Sequence, residues 1–181
     1  MTGYFLKSSF TLIIILGTCL LLSGQSRFQS TAIRNANIQI RATLQGAPLA
    51  WATDTVSIIL DKQTGEFEAM ILADDLHYAV SNPNFTPVTG ENEGKYLTLK
   101  GIIPINEVIQ NLNSTIDRKV DMTATFNDLE YHSTFTFTIL TLQNNGFSVM
   151  ANGPISHRAL EIRNLEELED ELQILLSFTG Y

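Results

Sequence analysis

Histidine, with the acidic side chains beside it, is the residue of this sequence best suited to metal binding or acid–base chemistry. The chain has three histidines, His77, His132 and His157, and none belongs to an H-x-H or H-x-x-x-H pair. Asp75 and His77 share one face of a predicted strand, with Asp74 beside them. Such a pair offers two ligands, and a zinc site takes at least three from the protein. The pattern therefore favours a solvated strand end over a metal site.

Paired carboxylates are the second kind of candidate, because a glycosidase works with two of them across a cleft. Glu66 and Glu68 share a strand face, and an acidic run lies between 166 and 171. Both patterns are typical of solvated surfaces. The sequence has no G-x-S-x-G elbow, glycine-rich phosphate loop, dinucleotide fingerprint or calcium loop. A Ser–His–Asp triad assembled in space stays open as an alternative, but the residues favour a protein that is not an enzyme and holds no metal or cofactor.

The composition limits the class of protein. A chain of 181 residues, 44% of them hydrophobic, suffices for one domain with a continuous core. Its formal net charge of -8 argues against binding to the phosphates of nucleic acid. The chain also has no polybasic patch for anionic lipid head groups. The sequence thus predicts one folded domain without a nucleic-acid partner.

The N-terminus has the pattern of a secretory signal peptide. Lys7 supplies a positive charge, and an apolar stretch from Phe10 to Leu22 precedes small residues around Gly24. That stretch is short for a membrane-spanning helix. We predict a signal peptide over residues 1–24, an N-terminal extension over 25–36 and a folded domain over 37–181, with no membrane span after cleavage.

The predicted location is periplasmic or secreted. An uncleaved anchor is one alternative, and lipidation at Cys19, the only cysteine, is another. Because Cys19 lies inside the signal, the mature protein contains no disulfide framework.

Alternation of apolar and polar residues dominates the mature chain. The clearest strand runs from Lys119 to Asn127, and the next runs from Tyr131 to Leu142. The other alternating segments are 38–44, 56–60, 67–73, 97–103 and 147–151. Alternation buries one face of each strand, as antiparallel sheets do. Seven or eight such strands predict an all-β sandwich or closed barrel.

Several segments depart from this alternation. Residues 105–112, behind Pro104, have helical spacing and predict a short helix that packs on the sheet as a plug or lid. Residues 81–94 predict a long loop, and residues 144–146 (Asn-Asn-Gly) predict a hairpin turn. Residues 165–179 fit either a helix or a strand. We favour an acidic turn followed by a final strand from Glu171.

Large apolar side chains occupy the predicted inward faces. They are Phe67, Met70, Leu97, Leu99, Met122, Phe126, Phe135, Phe137, Phe147 and Phe178. In a small barrel such residues either fill the centre or line a cavity for one apolar ligand, and the pattern alone favours the filled core. If the interior holds a ligand, its predicted binding residues are Leu97, Leu99, Met122, Phe126, Phe135 and Phe137. The last four lie on strands that a short connection should make neighbours, where they would form one apolar wall.

Three stretches resemble the YceI-like family of secreted, lipocalin-like proteins. Residues 56–68 (VSIILDKQTGEFE) are similar to its strand, glycine turn and return strand, and residues 96–102 (YLTLKGI) to its "Y-P-x-x-x-F-K-G-x-I" strand. Residues 155–162 (ISHRALEI) with 171–178 (ELQILLSF) resemble its closing segment. The resemblance covers most of the mature chain. It departs at Leu97, where the family has proline, and at 82–90, where family residues that precede the "Y-P" pair are missing.

The resemblance implies a fold and a function. The fold is a single antiparallel lipocalin-like β-barrel of about eight strands with one short helix. The implied function is non-enzymatic binding or carriage of an apolar, polyisoprenoid-like lipid in the periplasm. A structural or interaction barrel with a filled core and no ligand is the alternative.

Overall fold

The computed structural model describes residues 31–81, 92–109, 114–143, 146–163 and 165–181. Within them the chain forms ten strands and one short α-helix, α1 (Ile105–Ile109). A single 3-10 turn covers Ala73–Asp75. The strands are β1 (Ile33–Leu44), β2 (Ala47–Thr53), β3 (Val56–Leu60), β4 (Glu66–Leu72), β5 (His77–Val80), β6 (Tyr96–Ile102), β7 (Thr115–Phe126), β8 (Leu129–Thr141), β9 (Phe147–Ser156) and β10 (Glu171–Gly180).

One antiparallel sheet contains all of these strands, in the order β3-β4-β6-β7-β8-β9-β10-β1-β2-β5. β2 and β3 are two parts of one bent strand, and β2 pairs with β1 as far as Ile38 opposite Thr53. The same register carried past the bend brings Leu60 of β3 opposite Thr31. The Thr31 N–H donates to the Leu60 carbonyl at 3.3 Å, so the two ends of the curled sheet meet. With β2 and β3 counted as one strand, eight strands surround the interior, and β5 is an addition at the free edge of β2.

Two-residue turns set the register of two long hairpins. Gln45 and Gly46 join β1 to β2 with φ of 50° and 80°, and Asn127 and Asp128 join β7 to β8 with φ of 51° and 64°. Positive φ at both central residues gives the turn whose twist matches that of the strands it joins. Asn, Asp and Gly adopt this conformation at low cost. The β7–β8 connection is therefore a two-residue turn, shorter than the gap of residues 128–130 between the two predicted strands.

The barrel has two different ends. The end that carries α1 and the β3–β4 turn is called here the helix end. The opposite end, the loop end, carries the connections β4–β5 and β9–β10. At the helix end Ile105 is fully buried, and Arg118 of β7 donates to Glu107 Oε2 from Nη2 at 2.7 Å and from Nε at 3.2 Å. α1 therefore packs against the barrel as the sequence predicted.

The predicted fold class is confirmed, and so are most predicted strands. The segment 165–179 ends in a strand, β10, as favoured. One strand, β2, was missed, and its adjacent residues Leu49 and Ala50 are both buried. The predicted strand with Asp75 and His77 on one face begins only at His77, as the exposed β5, because Ala73–Asp75 form a 3-10 turn. Met70 was wrongly counted as inward, because it alternates with the buried Phe67, Ala69 and Ile71 and so lies on the outer face.

Some predictions fall outside the described residues. They include the signal peptide and Cys19, most of the loop 81–94, the tip of the turn 144–146 and the last part of the helix 105–112. β1 begins at Ile33, within the segment that the sequence analysis assigned to the N-terminal extension. No helix of the described ranges is long and apolar enough to cross a membrane.

Candidate functional site

The six predicted ligand-binding residues all lie on the inner face of the barrel and are at most 4% exposed. They are Leu97 and Leu99 on β6, Met122 and Phe126 on β7, and Phe135 and Phe137 on β8. All six belong to one continuous apolar core. Their contact with a ligand stays a prediction.

The predicted wall of β7 and β8 runs along the barrel. The two strands are neighbours, as predicted, with Phe126 opposite Leu129 near the loop end and Phe137 opposite Arg118 near the helix end. At ~3.3 Å per residue, Phe137 lies about 26 Å from Leu129 along β8. The four residues therefore share one face but contribute to both ends of the interior.

Aromatic rings fill the helix end. The Phe67 ring stacks on that of Phe178, with centroids 5.8 Å apart and planes 12° apart, and meets the Phe137 ring edge-on at 6.2 Å. Phe147 meets Phe178 edge-on at 6.4 Å. All four side chains are at most 3% exposed. Rings in these arrangements form a packed core, with no room for a ligand among them.

Glycine allows two of the inward rings to lie directly on the sheet. A Cβ atom at Gly153 would collide with the Phe135 ring, and one at Gly180 would collide with the Phe147 ring. Because Gly153 and Gly180 are on β9 and β10, the rings of neighbouring strands occupy the space that side chains would otherwise take. The Phe135 and Phe147 rings thus fill the space over the glycines of the neighbouring strands.

From its middle toward the loop end the interior is lined mostly by buried aliphatic side chains, such as Leu44, Ile71 and Leu97, with alanines among them. Ala42, Ala69 and Ala124 occupy inward positions and are at most 6% exposed. Ser133, which is half-buried, lies opposite Met122 on the same inner face. Phe126 is an exception near the rim, where Lys95 Nζ lies 5.8 Å from its ring centroid. The inner face thus changes along the barrel from large rings to smaller side chains.

An aromatic pair stands where β5 joins β2 near the loop end. Trp51 and Tyr78 are register partners, and their ring centroids are 5.8 Å apart. Trp51 packs against the core, whereas Tyr78 is 38% exposed. Partial burial raises the pKa of the Tyr78 hydroxyl, and a hydrogen bond with Trp51 opposes part of that shift. This pair links the apolar interior to solvent.

His157 lies at the loop end and is 2% exposed. Its Nε2 atom is buried and has no hydrogen-bond partner in the described part of the chain. Beside it, the Ser156 hydroxyl donates to Asp170 Oδ1 at 2.8 Å and, with the Arg158 backbone N–H, holds the pKa of that carboxyl below its usual value. In a catalytic triad the serine donates to histidine. Here it donates to the aspartate, so these three residues do not form one.

The other groups considered for chemistry have structural partners. Asp74 Oδ2 accepts from the Gly94 N–H at 2.9 Å, and His77 Nδ1 lies 3.4 Å from the Asp75 carbonyl. Glu68 pairs with Lys100 across β4 and β6 at 3.2 Å. Among the described residues no three His, Cys, Asp or Glu side chains are placed to hold a metal ion.

An open groove of about 570 Å³ lies on the surface near the helix end. Lys100, Arg118 and Lys119 contribute to its lining. Two of these cations are engaged, Lys100 by Glu68 and Arg118 by Glu107. The groove is open to solvent, and the core residue Val120 lies at its floor.

Sequence reasoning found the inward positions but missed the loop-end residues. Trp51 lies in a strand without alternation, so its face could not be assigned. His157 was treated only as an isolated histidine. Counting every second residue onward from Phe147 through Ile155 would have predicted that His157 is buried.

No protein-family model and no curated protein matches the sequence. A solved structure, described as a polyisoprenoid binding domain from Saccharophagus degradans implicated in plant cell wall breakdown, is similar in fold, with a TM-score of 0.63. The two sequences are 9% identical, and the match covers 83% of this chain and 96% of that chain. The similarity confirms the predicted fold and agrees with the family resemblance read from the sequence.

Proposed function

We propose that this protein is a divergent YceI-like protein that binds an apolar, isoprenoid-like lipid inside its barrel without catalysing a reaction. The observation that carries the proposal is the uneven filling of the interior. Phenylalanine rings pack the helix end, while the middle and the loop end are lined mostly by aliphatic side chains, among them the alanines Ala69 and Ala124. A lipid chain would enter at the loop end and stop at the aromatic cluster.

The comparison with the polyisoprenoid binding domain supports this function, because the two chains match over nearly the whole of that domain. The chemistry of the interior supports it as well. Most of its large inward side chains are hydrocarbon or thioether, which suits an apolar chain. Binding rather than catalysis is therefore the proposed role.

A filled barrel without a ligand is the second candidate, and the aromatic cluster favours it. The rings of Phe67, Phe137, Phe147 and Phe178 lie 5.8 to 6.4 Å apart, within the usual range for aromatic pairs in protein cores. If the aliphatic part toward the loop end were filled as tightly, the barrel would serve as a structural or interaction domain.

Native extraction separates the two candidates. The mature protein is purified without detergent, extracted with organic solvent, and the extract is analysed by mass spectrometry. A lipid close to one per protein supports the carrier, and an empty extract from repeated preparations supports the filled core.

A blocking variant gives the same test inside the barrel. Ala124→Phe puts a ring on the inner face of β7, and Thr125→Phe is the matched control on the outer face. If the space is there for lipid, Ala124→Phe should lower bound lipid about tenfold and leave stability close to that of the control. If the space is already filled, overpacking should destabilise the variant by ~1–3 kcal/mol relative to the control.

The periplasmic or secreted location rests on the signal pattern of residues 1–24. We expect a mature protein that begins at Gln25, after cleavage following Gly24. The intact mass of the protein recovered from the periplasm or medium tests this. A diacylglyceryl mass with an N-terminal Cys19 would instead show a lipoprotein.

A further inference from the structure

The end of the β9–β10 ladder leads directly into His157. The last paired residues of the two strands are Ser156 and Glu171, and the His157 N–H donates to the Asp170 carbonyl at 3.2 Å. The chain turns at this point, because the Leu160 N–H donates to the Ser156 carbonyl at 3.2 Å. His157 comes two residues after the inward Ile155 and is 2% exposed. Its imidazole is therefore buried at the loop end of the barrel.

The loop after β9 holds His157 in this position. The Ile162 N–H donates to the His157 carbonyl at 2.9 Å. Leu160 of the same loop is fully buried and, like Leu168, belongs to the apolar core. The imidazole thus lies between the interior and a cover that is anchored in the core.

The Nε2 atom of His157 is a buried polar atom without a partner among the described residues. Buried polar atoms of native proteins are rarely left this way, since each forfeits its hydrogen bonds to water. His132, by contrast, has its Nδ1 atom 3.0 Å from the Thr123 hydroxyl. A second buried atom without a partner, Asn92 Oδ1, lies at the same end, where Asn92 Nδ2 donates to the Arg163 carbonyl.

We propose that His157 binds the polar end of the lipid, with Nε2 hydrogen-bonded to an oxygen atom at the end of the apolar chain. The inference rests on the proposed function and specifies the ligand further. An imidazole nitrogen donates or accepts according to its tautomer, so a hydroxyl group matches either form. An anionic phosphate or carboxylate would have to leave water for a site where His157 is 2% exposed. The head group that we propose is therefore a neutral alcohol.

Trp51, the only tryptophan of the chain, allows the test to be read by fluorescence. Lipid-free mature protein is titrated with geranylgeraniol, with its deoxy analogue in which CH3 replaces CH2OH, and with geranylgeranyl phosphate. The wild type should bind the alcohol roughly tenfold more tightly than the deoxy analogue, as one hydrogen bond allows. His157→Leu should bind both equally, and the exposed control His132→Leu should keep the wild-type preference.

The results separate this inference from the function on which it rests. Equal affinity of the wild type for the alcohol and the deoxy analogue overturns the role of His157 and leaves lipid binding intact. Failure of all three probes to bind overturns both. Tighter binding of the phosphate than of the alcohol overturns the neutral head group. If His157→Leu does not fold, the wild-type preference and His157→Gln decide: the glutamine amide can replace the hydrogen bond and should retain a preference for the alcohol.

Discussion

Replacing Phe137 by alanine removes a ring from the aromatic cluster at the helix end and leaves a cavity there. Phe137 is fully buried. The residue opposite on β9 is Ala151, which is too small to fill the gap. Opposite on β7 is Arg118, whose guanidinium is paired with Glu107 at the end of the barrel. Because Ala151 cannot fill the space that the ring leaves, the loss of stability should be ~3–5 kcal/mol.

Urea denaturation of the wild type, Phe137→Ala and the exposed neighbour Thr136→Ala measures this loss. Thr136→Ala should stay within ~0.5 kcal/mol of the wild type. For a chain of this size Phe137→Ala should lower the melting temperature by roughly 6–20 °C. A loss below ~1.5 kcal/mol would refute the packing argument, because it would mean that the space around the ring is already empty.

Bound lipid measured on the same preparations separates the two roles of Phe137. Because its ring lies in the filled part, we expect the lipid per folded molecule to be unchanged. A loss of lipid with little loss of stability would instead support the predicted contact between Phe137 and the ligand.

Two further predictions concern close packing and acid stability. Gly153→Ala should destabilise the protein by ~1–3 kcal/mol in thermal unfolding, because its methyl group would meet the Phe135 ring. Gly101→Ala should cost less, because the nearest atom it would meet is the sulfur of the flexible Met122 side chain, with the Asp121 carbonyl oxygen next at 3.1 Å. Equal losses would contradict this reasoning. The Ser156 hydroxyl lowers the pKa of Asp170 from its usual value of 3.8, so the stability this group adds is present above that pH and is lost as pH falls through the lower, folded-state value. Acid titrations followed by circular dichroism should therefore show a smaller loss of stability below pH 3.8 for Asp170→Asn than for the wild type, and parallel curves would count against the hydrogen bond.

Alternation in the sequence was sufficient to predict the strands that bury one face. β7 and β8 were predicted from their own residues, because apolar and polar residues alternate in a strand that has one face in the core and the other in solvent. β2 was missed because Leu49 and Ala50 are both buried, which removes the period. The closure of the sheet was also beyond sequence reasoning. It depends on the bend between β2 and β3 and on the hydrogen bond from Thr31 to Leu60, which join residues far apart in the chain.

The inner face of the site was predictable for the same reason, but its filling was not. Alternation along the strands placed Phe126 and Phe137 on one face. The distance between them depends on the register of β7 and β8, which the two-residue turn at 127–128 sets. Alternation along a strand gives the face on which a side chain lies and leaves its neighbours unknown. It therefore could not distinguish the packed rings of the helix end from the aliphatic part toward the loop end. His157 illustrates both limits: the count from Ile155 predicts its burial, whereas the unpartnered Nε2 atom becomes visible only when the covering loop is in place. A binding site of this kind is defined by what the protein leaves unfilled and unpaired, and neither property is written in any single stretch of sequence.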